Sequence, residues 1–313
     1  MKRNIYESDT LRVYFVPSSE QAPSQQVVIG FRSMIDTKAD ITSGEAENTI
    51  KRAGLDAVHV IPKSNQWYQY PDLRELLEQI RGLTAGYAER MTYGLSMGGF
   101  AALHASKALR ATRSVTYAPQ FSVDQRVITE LEPSWVTSVA QTEFIWDHPE
   151  DISQNCHHIV IYDPLCRDAQ HVNRYRQHVA IDTFKVPFGG HHIWRIFGKA
   201  GIGDQALIGL LKGTADRRQL RQKLRQARRG YWGYHLNRGE VLADLASCRM
   251  AVEMDVISVI ANARGPLASL VTQAVPDVRT RASKAIEALT AAGDARGASM
   301  AQRWLGMFQS SMA

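Results

Sequence analysis

Short segments rich in β-branched and aromatic residues alternate with helical patterns from the start of the chain to about residue 200. These strand-like segments read LRVYFV, QQVVIGF, DAVHVI, RMTYGL, RSVTYA, HHIVIY and DTFKVPF. Between them, residues 72–84 repeat leucine and isoleucine at helical spacing, and residues 97–110 carry a face of small residues suited to packing on a sheet. Strands that alternate with helices predict an α/β fold with a mainly parallel sheet covered on both faces.

One serine lies at the turn between a predicted strand and the helix that follows it. RMTYGL is the strand, SMGG the turn and FAALHASKALR the helix, with Ser96 at the turn. Gly94 and Gly98 leave room for strand and helix to approach each other around the serine. A serine in such a strained turn projects its hydroxyl above the sheet edge, at a helix N-terminus that favours negative charge. Ser96 is therefore predicted to be a nucleophile.

The GLSMGG segment and the order of the residues after it resemble the α/β-hydrolase superfamily, over roughly residues 10–205. In that family an acid on a later strand-to-helix loop follows the nucleophile. HHIVIYDPLCRDAQHV contains two candidates, Asp163 at the end of the strand and Asp168 in the loop beyond it. The family's acid usually lies a few residues past its strand, which favours Asp168. Each has a structural alternative, because Asp168 could cap a helix and Asp163 could belong to a turn.

A histidine near the end of the domain completes the family's catalytic set. VPFGGHHIWRIFG contains the adjacent candidates His191 and His192. Neighbouring residues of an extended chain point in opposite directions, so only one of the two should face Ser96. His191 is favoured because it directly follows the glycine pair, and His192 is the alternative. The same divergence argues against a metal site at this pair, and we expect no metal and no other cofactor.

The chemistry requires each of these residue types. A serine hydroxyl is a weak nucleophile unless a neutral imidazole takes its proton, and a carboxylate must hold that ring and stabilise its charged form. The resemblance implies that the Met97 amide is one donor of the oxyanion hole. It implies a second donor in the loop GFRSMID, where Phe31 or Arg32 is the candidate.

Aromatic residues follow two of the predicted strands. Trp67 and Tyr68 come after DAVHVI, at the sheet edge where open α/β proteins bind ligands, and are predicted to bind substrate. Packing beneath a loop is the alternative for both. Residues 119–155 form an unusually long connection that contains Trp135 and Trp146, and we predict a small lid or excursion there.

The chain divides by pattern into two predicted domains. Residues 1–205 form an α/β-hydrolase-like catalytic domain, and residues 206–313 form an all-helical domain with leucine and alanine at helical spacing. Breaks near Gly230, Gly265 and Gly293 separate its helices. The segment ASKAIEALTAAGDARGASMAQRWL resembles a helix pair of the tetratricopeptide type, although no fixed repeat period aligns.

Basic residues crowd residues 212–229 in a chain whose formal net charge is +6. Such a run predicts either a solvated helix face or a docking surface for an acidic partner. We expect no nucleic-acid partner, because no zinc-finger or RNA-binding signature accompanies the charge.

Cysteine usage and hydropathy point to a reducing compartment. The three cysteines, Cys156, Cys166 and Cys248, lack the paired spacing of a zinc or redox motif and are expected to be reduced thiols. The first residues lack the apolar run of a signal peptide, and no later stretch has about 18 uncharged apolar residues. We therefore expect a soluble cytoplasmic protein without a membrane span.

Together these patterns predict a serine hydrolase that cleaves a small-molecule ester or thioester through an acyl-serine intermediate. An acyltransferase with the same Ser-His-Asp triad is one alternative, because the sequence does not distinguish water from another acceptor. A non-catalytic, hydrolase-like scaffold whose C-terminal helices bind an acidic protein partner is the other.

Overall fold

An eight-stranded sheet forms the first part of the chain. The computed structural model describes residues 2–19, 24–37, 39–129, 131–146 and 148–311. Within these ranges the strands are β1 (Arg3–Glu7), β2 (Leu11–Val16), β3 (Gln26–Phe31), β4 (Asp56–Pro62), β5 (Glu89–Leu95), β6 (Arg113–Tyr117), β7 (His157–Tyr162) and β8 (Ile181–Lys185).

Helices alternate with the strands and then continue alone to the end of the described chain. Those between or directly after the strands are α1 (Glu47–Arg52), α2 (Leu73–Leu83), α3 (Met97–His104), α4 (Pro133–Ser138), α5 (Asp168–Arg176), α6 (Trp194–Lys199) and α7 (Gly203–Lys212). The remaining helices are α8 (Arg217–Ala227), α9 (Trp232–Leu242), α10 (Leu245–Asn262), α11 (Pro266–Ala274), α12 (Val278–Ala291) and α13 (Ala295–Ser310).

The order of the strands determines where the loops meet. They lie in the order β1-β2-β4-β3-β5-β6-β7-β8; β1 with β2 and β2 with β4 pair antiparallel, and every later pair is parallel. Since β4 and β5 flank β3 on opposite sides, the winding reverses there, and open α/β sheets bind ligands at the carboxyl ends of such strands. The prediction of a mainly parallel sheet of the α/β-hydrolase type is confirmed.

Burial explains why these segments form strands and covering helices. Every residue of β4 is buried, as expected for a parallel strand covered on both faces. Helix α2 buries Leu73, Leu76, Leu77 and Ile80 on one side, which is the periodicity of a helix packed on a sheet. All of α3 is buried, and its glycines and alanines allow a close approach to the sheet.

The chain divides into two compact units. The first comprises Met1–Val186, His191–Trp194 and Ile202–Arg217, and the second comprises Pro187–Gly190, Arg195–Gly201 and Arg218–Ala313. The second unit has its own apolar core of helical residues, including Leu236, Val271 and Phe308. The helical C-terminal region is confirmed, whereas the boundary at residue 205 and the tetratricopeptide resemblance stay predictions. Across the described residues, no helix combines the length and hydropathy needed to span a membrane.

Four histidines of the first unit have no exposed surface, and burial lowers the pKa of His158 on β7 as well. The other three are His59 on β4, His104 on α3 and His171 on α5. Burial lowers the pKa of these three from 6.5 to about 4, because a charged imidazole loses its hydration there. Two of them form a hydrogen bond with the backbone: His104 Nδ1 donates to the Phe100 carbonyl oxygen at 3.0 Å, and His171 Nδ1 accepts the Phe121 amide at 3.1 Å. All three are therefore neutral in the folded protein at pH 7.

Stability should fall as the pH drops from about 6.5 to about 4, since the unfolded chain protonates these histidines first. The free energy of unfolding should decrease by about 2 kcal/mol per histidine between pH 7.5 and pH 5. Urea titrations at several pH values measure the decrease. In the variant His104→Met this decrease should be smaller by about 2 kcal/mol, the contribution of one histidine; a decrease equal to that of the parent protein would contradict the assignment.

Candidate active site

The turn between β5 and α3 holds Ser96 in a conformation that non-glycine residues rarely adopt. Its φ and ψ are 50° and −121°. The Ser96 amide donates a 2.8 Å hydrogen bond to the Tyr117 carbonyl oxygen at the end of β6, which ties the turn to the neighbouring strand. A strained residue of this kind costs about 1–3 kcal/mol and persists only where the surroundings hold it in place.

Gly94 and Gly98 are required because three backbone segments meet here. A Cβ atom on Gly94 would lie 2.1 Å from the Gly98 carbonyl oxygen. A Cβ atom on Gly98 would lie 2.2 Å from the carbonyl oxygen of Phe31, the last residue of β3. Since both obstacles are backbone atoms, no side-chain movement could relieve the clash. The two glycines bring the first turn of α3 against both β5 and the end of β3.

Gly98→Ala should therefore destabilise the protein by about 3 kcal/mol or more, or prevent folding, because overpacking against rigid backbone is costly. Gly82→Ala is the matched control, since a Cβ at Gly82 on α2 meets nothing within 4 Å. That variant should be stabilised by up to about 1 kcal/mol through helix propensity. Thermal unfolding measures both changes, and similar values for the two variants would contradict the steric account.

Ser96, His191 and Asp168 lie in a continuous line of hydrogen bonds. Ser96 Oγ is 2.9 Å from His191 Nε2, and His191 Nδ1 is 2.9 Å from Asp168 Oδ2 and 3.0 Å from Oδ1. An ionised carboxylate only accepts hydrogen bonds, so Nδ1 carries the N–H of the neutral ring. Nε2 is then left to accept the hydroxyl hydrogen of Ser96, as a general base must.

Asp168 is completely buried at the first residue of α5. Burial by itself raises the pKa of a carboxyl group, but the adjacent His191 lowers it by charge and by hydrogen bonding, and the net pKa of Asp168 lies below its usual value. The Cys166 thiol contributes a further hydrogen bond, with its Sγ 3.6 Å from Asp168 Oδ2. The carboxylate therefore stays ionised beside the histidine.

The alternative candidates have other surroundings. Asp163 Oδ1 accepts the Leu165 amide at 2.9 Å, which is the hydrogen bond of a turn residue. His192 is exposed, and its ring centroid lies 5.1 Å from that of Trp194. The geometry thus brings Asp168 and His191, rather than their neighbours, to the serine.

The predicted oxyanion donors differ in their availability. Met97 supplies the first amide of α3, and the first amides of a helix have no partner within it. The Arg32 amide instead donates to the Val60 carbonyl oxygen at 3.0 Å, so the prediction for Arg32 is wrong: continued pairing with β4 uses its N–H. Phe31 lies in β3, where it pairs with Val60 of β4 and Gly94 of β5; its role as a donor stays a prediction. The next amide, of Ser33, donates to Glu45 Oε2 at 3.3 Å.

Trp67 and Tyr68 lie in the core and have no exposed surface, which agrees with the alternative of packing beneath a loop; their binding of substrate stays a prediction. The Tyr68 hydroxyl donates to the Arg32 carbonyl oxygen at 2.7 Å, and its ring packs edge-on against Phe31 at 5.6 Å. Trp67 Nε1 donates to Gln120 Oε1 at 3.1 Å. The long connection after β6 thus contributes to the burial of Trp67, with the Trp135 ring centroid 6.0 Å from that of Trp67.

The long connection after β6 places an aromatic ring next to His191. Trp135 lies on α4, with its ring centroid 5.0 Å from that of His191 and 6.0 Å from that of Trp67. An ion pair of 2.8 Å between Glu132 and Arg167 joins the start of α4 to the loop before α5. This connection therefore places Trp135 against His191, and the lid or excursion over residues 119–155 stays a prediction.

Gln120 is a site residue that the sequence patterns do not indicate. It is fully buried, and its Oε1 lies 3.4 Å from Ser96 Oγ. A glutamine in a loop matches no motif, but its place just after β6, next to the strand that bears the serine, is a signal that could have found it. Within the described part of the chain, no cluster of three or more histidine, cysteine or acidic residues is arranged to hold a metal ion.

Comparison with known proteins finds similarity only among solved structures; no protein-family model and no curated protein matches the sequence. The capsule O-acetyltransferase of Neisseria meningitidis serogroup A is 13% identical, with a TM-score of 0.43 over 62% of this chain and 91% of that one. An α/β serine hydrolase without a lid from Xanthomonas campestris is 16% identical, with a TM-score of 0.40 over 69% and 88%. S-formylglutathione hydrolase from Staphylococcus aureus is 14% identical, with a TM-score of 0.42 over 72% and 98%.

At such low identities and TM-scores, these likenesses identify no activity for this chain. The classification of the fold rests on the chain's own architecture: a mainly parallel sheet in the order given above, helices between its strands, and a serine on a sharp strand-to-helix turn. By these features the chain has the α/β-hydrolase fold.

Proposed function

We propose that this chain is a serine hydrolase that cleaves an ester or thioester through an acyl-serine intermediate on Ser96. The observation that carries the proposal is the line of hydrogen bonds from Ser96 Oγ through His191 to the buried, ionised Asp168. These three residue types in this order supply a nucleophile, a general base and a group that orients the base.

Acylation uses each group in turn. The Ser96 oxygen forms a bond to the substrate carbonyl carbon while His191 Nε2 takes the hydroxyl proton. Asp168 stabilises the resulting imidazolium through Nδ1. The negative charge on the carbonyl oxygen develops near the amide of Met97 at the start of α3, where a helix N-terminus favours it. The leaving group then takes the proton from Nε2 and departs.

Deacylation repeats these steps with a second acceptor. If water attacks the acyl-serine the protein is a hydrolase, and if an alcohol or thiol attacks it is an acyltransferase. The buried serine, only 5% exposed, and the cover of Trp135 against His191 are the observations that keep transfer as the second candidate, because excluding water favours it.

A scaffold function has one observation in its favour. Helix α8 carries five basic side chains and no acidic one, and it buries only Leu220 and Leu224. An acidic partner would suit this charge. If the scaffold function is correct, Arg225→Glu should abolish partner capture while Ser96→Ala leaves it intact. If the hydrolase proposal is correct, Ser96→Ala should abolish hydrolysis while Arg225→Glu leaves it intact.

Labelling with a fluorophosphonate probe tests the nucleophile. The parent protein should incorporate one probe per chain, and Ser96→Ala should incorporate none, because the probe bonds to an activated serine oxygen. Intact-mass measurement reads the adduct, and circular dichroism checks that both proteins are folded. A folded parent protein that is not labelled, or equal labelling of the alanine variant, would contradict the assignment of Ser96.

Steady-state kinetics on a panel of short- and long-chain esters, thioesters and sugar esters tests the other two roles. His191→Gln should lower kcat by about 10³-fold or more, and Asp168→Asn should lower it by about 10²–10⁴-fold through loss of the correct tautomer. His192→Gln is the matched control on the adjacent residue and should stay within about threefold of the parent enzyme. If the His192 variant is the more impaired one, the histidine assignment is wrong.

A further inference from the structure

The amide of Gln120 is held in one orientation beside the proposed nucleophile. Its Nε2 donates to the Ala118 carbonyl oxygen at 3.0 Å, and its Oε1 accepts the Trp67 indole N–H at 3.1 Å. If the amide were rotated by 180°, its NH₂ group would face the indole donor and its oxygen would face the carbonyl. Both contacts would then be repulsive, so Oε1 is the atom directed towards Ser96.

The backbone of Gln120 is held as firmly as its side chain. The Gln120 carbonyl oxygen accepts the Tyr175 hydroxyl from α5 at 2.7 Å. Ala118, two residues earlier, has a φ of 45°, which turns the chain sharply after β6. With the whole residue buried, the position of Oε1 is determined before any substrate arrives.

One lone pair of Gln120 Oε1 has no hydrogen to accept in the resting site. An amide oxygen can accept two hydrogen bonds, and Trp67 supplies one of them. The other lone pair faces Ser96 Oγ at 3.4 Å, but the single hydroxyl hydrogen of the serine belongs to His191 Nε2, which is nearer at 2.9 Å. This second lone pair is directed into the reacting site and can accept a hydrogen from a group that enters during the reaction.

The water that attacks the acyl-serine can supply that hydrogen. In acylation the serine has one hydrogen, and His191 takes it. In deacylation the attacking water has two hydrogens, of which His191 can accept only one. We propose that Gln120 Oε1 accepts the second hydrogen of this water, and so orients it for hydrolysis of the acyl-serine. The inference rests on the proposed acyl-serine function, and it adds that the site favours water over an alcohol as the acyl acceptor.

The step balances as ordinary hydrolysis. The water oxygen forms a bond to the carbonyl carbon while one of its protons passes to His191 Nε2. The bond between that carbon and Ser96 Oγ then breaks, and Oγ takes the proton back from Nε2. The second hydrogen stays on the oxygen of the carboxylic acid product. An alcohol has only one hydroxyl hydrogen, which passes to His191, so it has no second O–H to donate to Gln120.

The experiment compares Gln120→Met with the parent enzyme, using p-nitrophenyl acetate as acyl donor and ethanol as the competing acceptor. The burst phase of p-nitrophenol release measures acylation, and the following steady phase measures deacylation. In the variant, deacylation by water should slow about tenfold while acylation changes by less than about twofold. The ratio of ethyl acetate to acetate should rise about tenfold for the same reason.

Trp67→Phe is the second variant, because it keeps Gln120 and an aromatic ring at position 67 but removes the N–H that orients the amide of Gln120. The product ratio should change in the same direction as in Gln120→Met, but less. The double variant should match Gln120→Met in that ratio, since Trp67 acts through Gln120. If Gln120→Met does not fold, Trp67→Phe alone still tests the inference by the product ratio.

The outcomes separate the two proposals. An unchanged product ratio in the folded variants, or equal slowing of acylation and deacylation, would overturn the role of Gln120 and leave the acyl-serine proposal standing. A parent protein that shows neither a burst nor labelling of Ser96 would overturn the proposed function itself.

Discussion

The contact of three backbone segments around Ser96 is the constraint on which the rest of the site depends. Gly94 and Gly98 have no Cβ, so the first turn of α3 can lie against both β5 and the end of β3. The sheet order makes this contact possible, because β5 lies between β3 and β6. The β6 end also accepts the Ser96 amide, which offsets part of the strain at the serine. The hydroxyl is thus held at a helix N-terminus before any substrate binds.

Burial then determines the charges around this hydroxyl. Asp168 would be protonated more readily in an apolar site, but His191 keeps it ionised, and Cys166 donates to it. His171, one turn further along α5, has a pKa lowered to about 4 by burial and stays neutral. In the proposed reaction, the ion pair therefore forms between Asp168 and His191 after His191 has taken the proton of Ser96. The cover of Trp135 strengthens that interaction by excluding water from it.

The sequence patterns predict those parts of the site that depend on local geometry. Ser96 follows from a strand, a sharp turn and a helix; Asp168 and His191 follow from their positions after later strands. The errors fall where a residue's role depends on a distant strand or loop. The Arg32 amide is used in pairing with β4, and Trp67 is buried against Gln120 and Trp135, more than fifty residues later in the chain. Gln120 matches no sequence motif, since its importance comes from its distance to Ser96.

The amino-acid sequence by itself determined the alternation of strands and helices, the serine turn and the types of residue available for acyl transfer, because periodicity and glycine sterics act over a few neighbouring residues. The tertiary structure alone decided which acid and which histidine meet the serine, which amide is free and which acceptor stands beside the hydroxyl. Each of these choices is a distance between segments far apart in sequence, and the order of the strands in the sheet sets those distances.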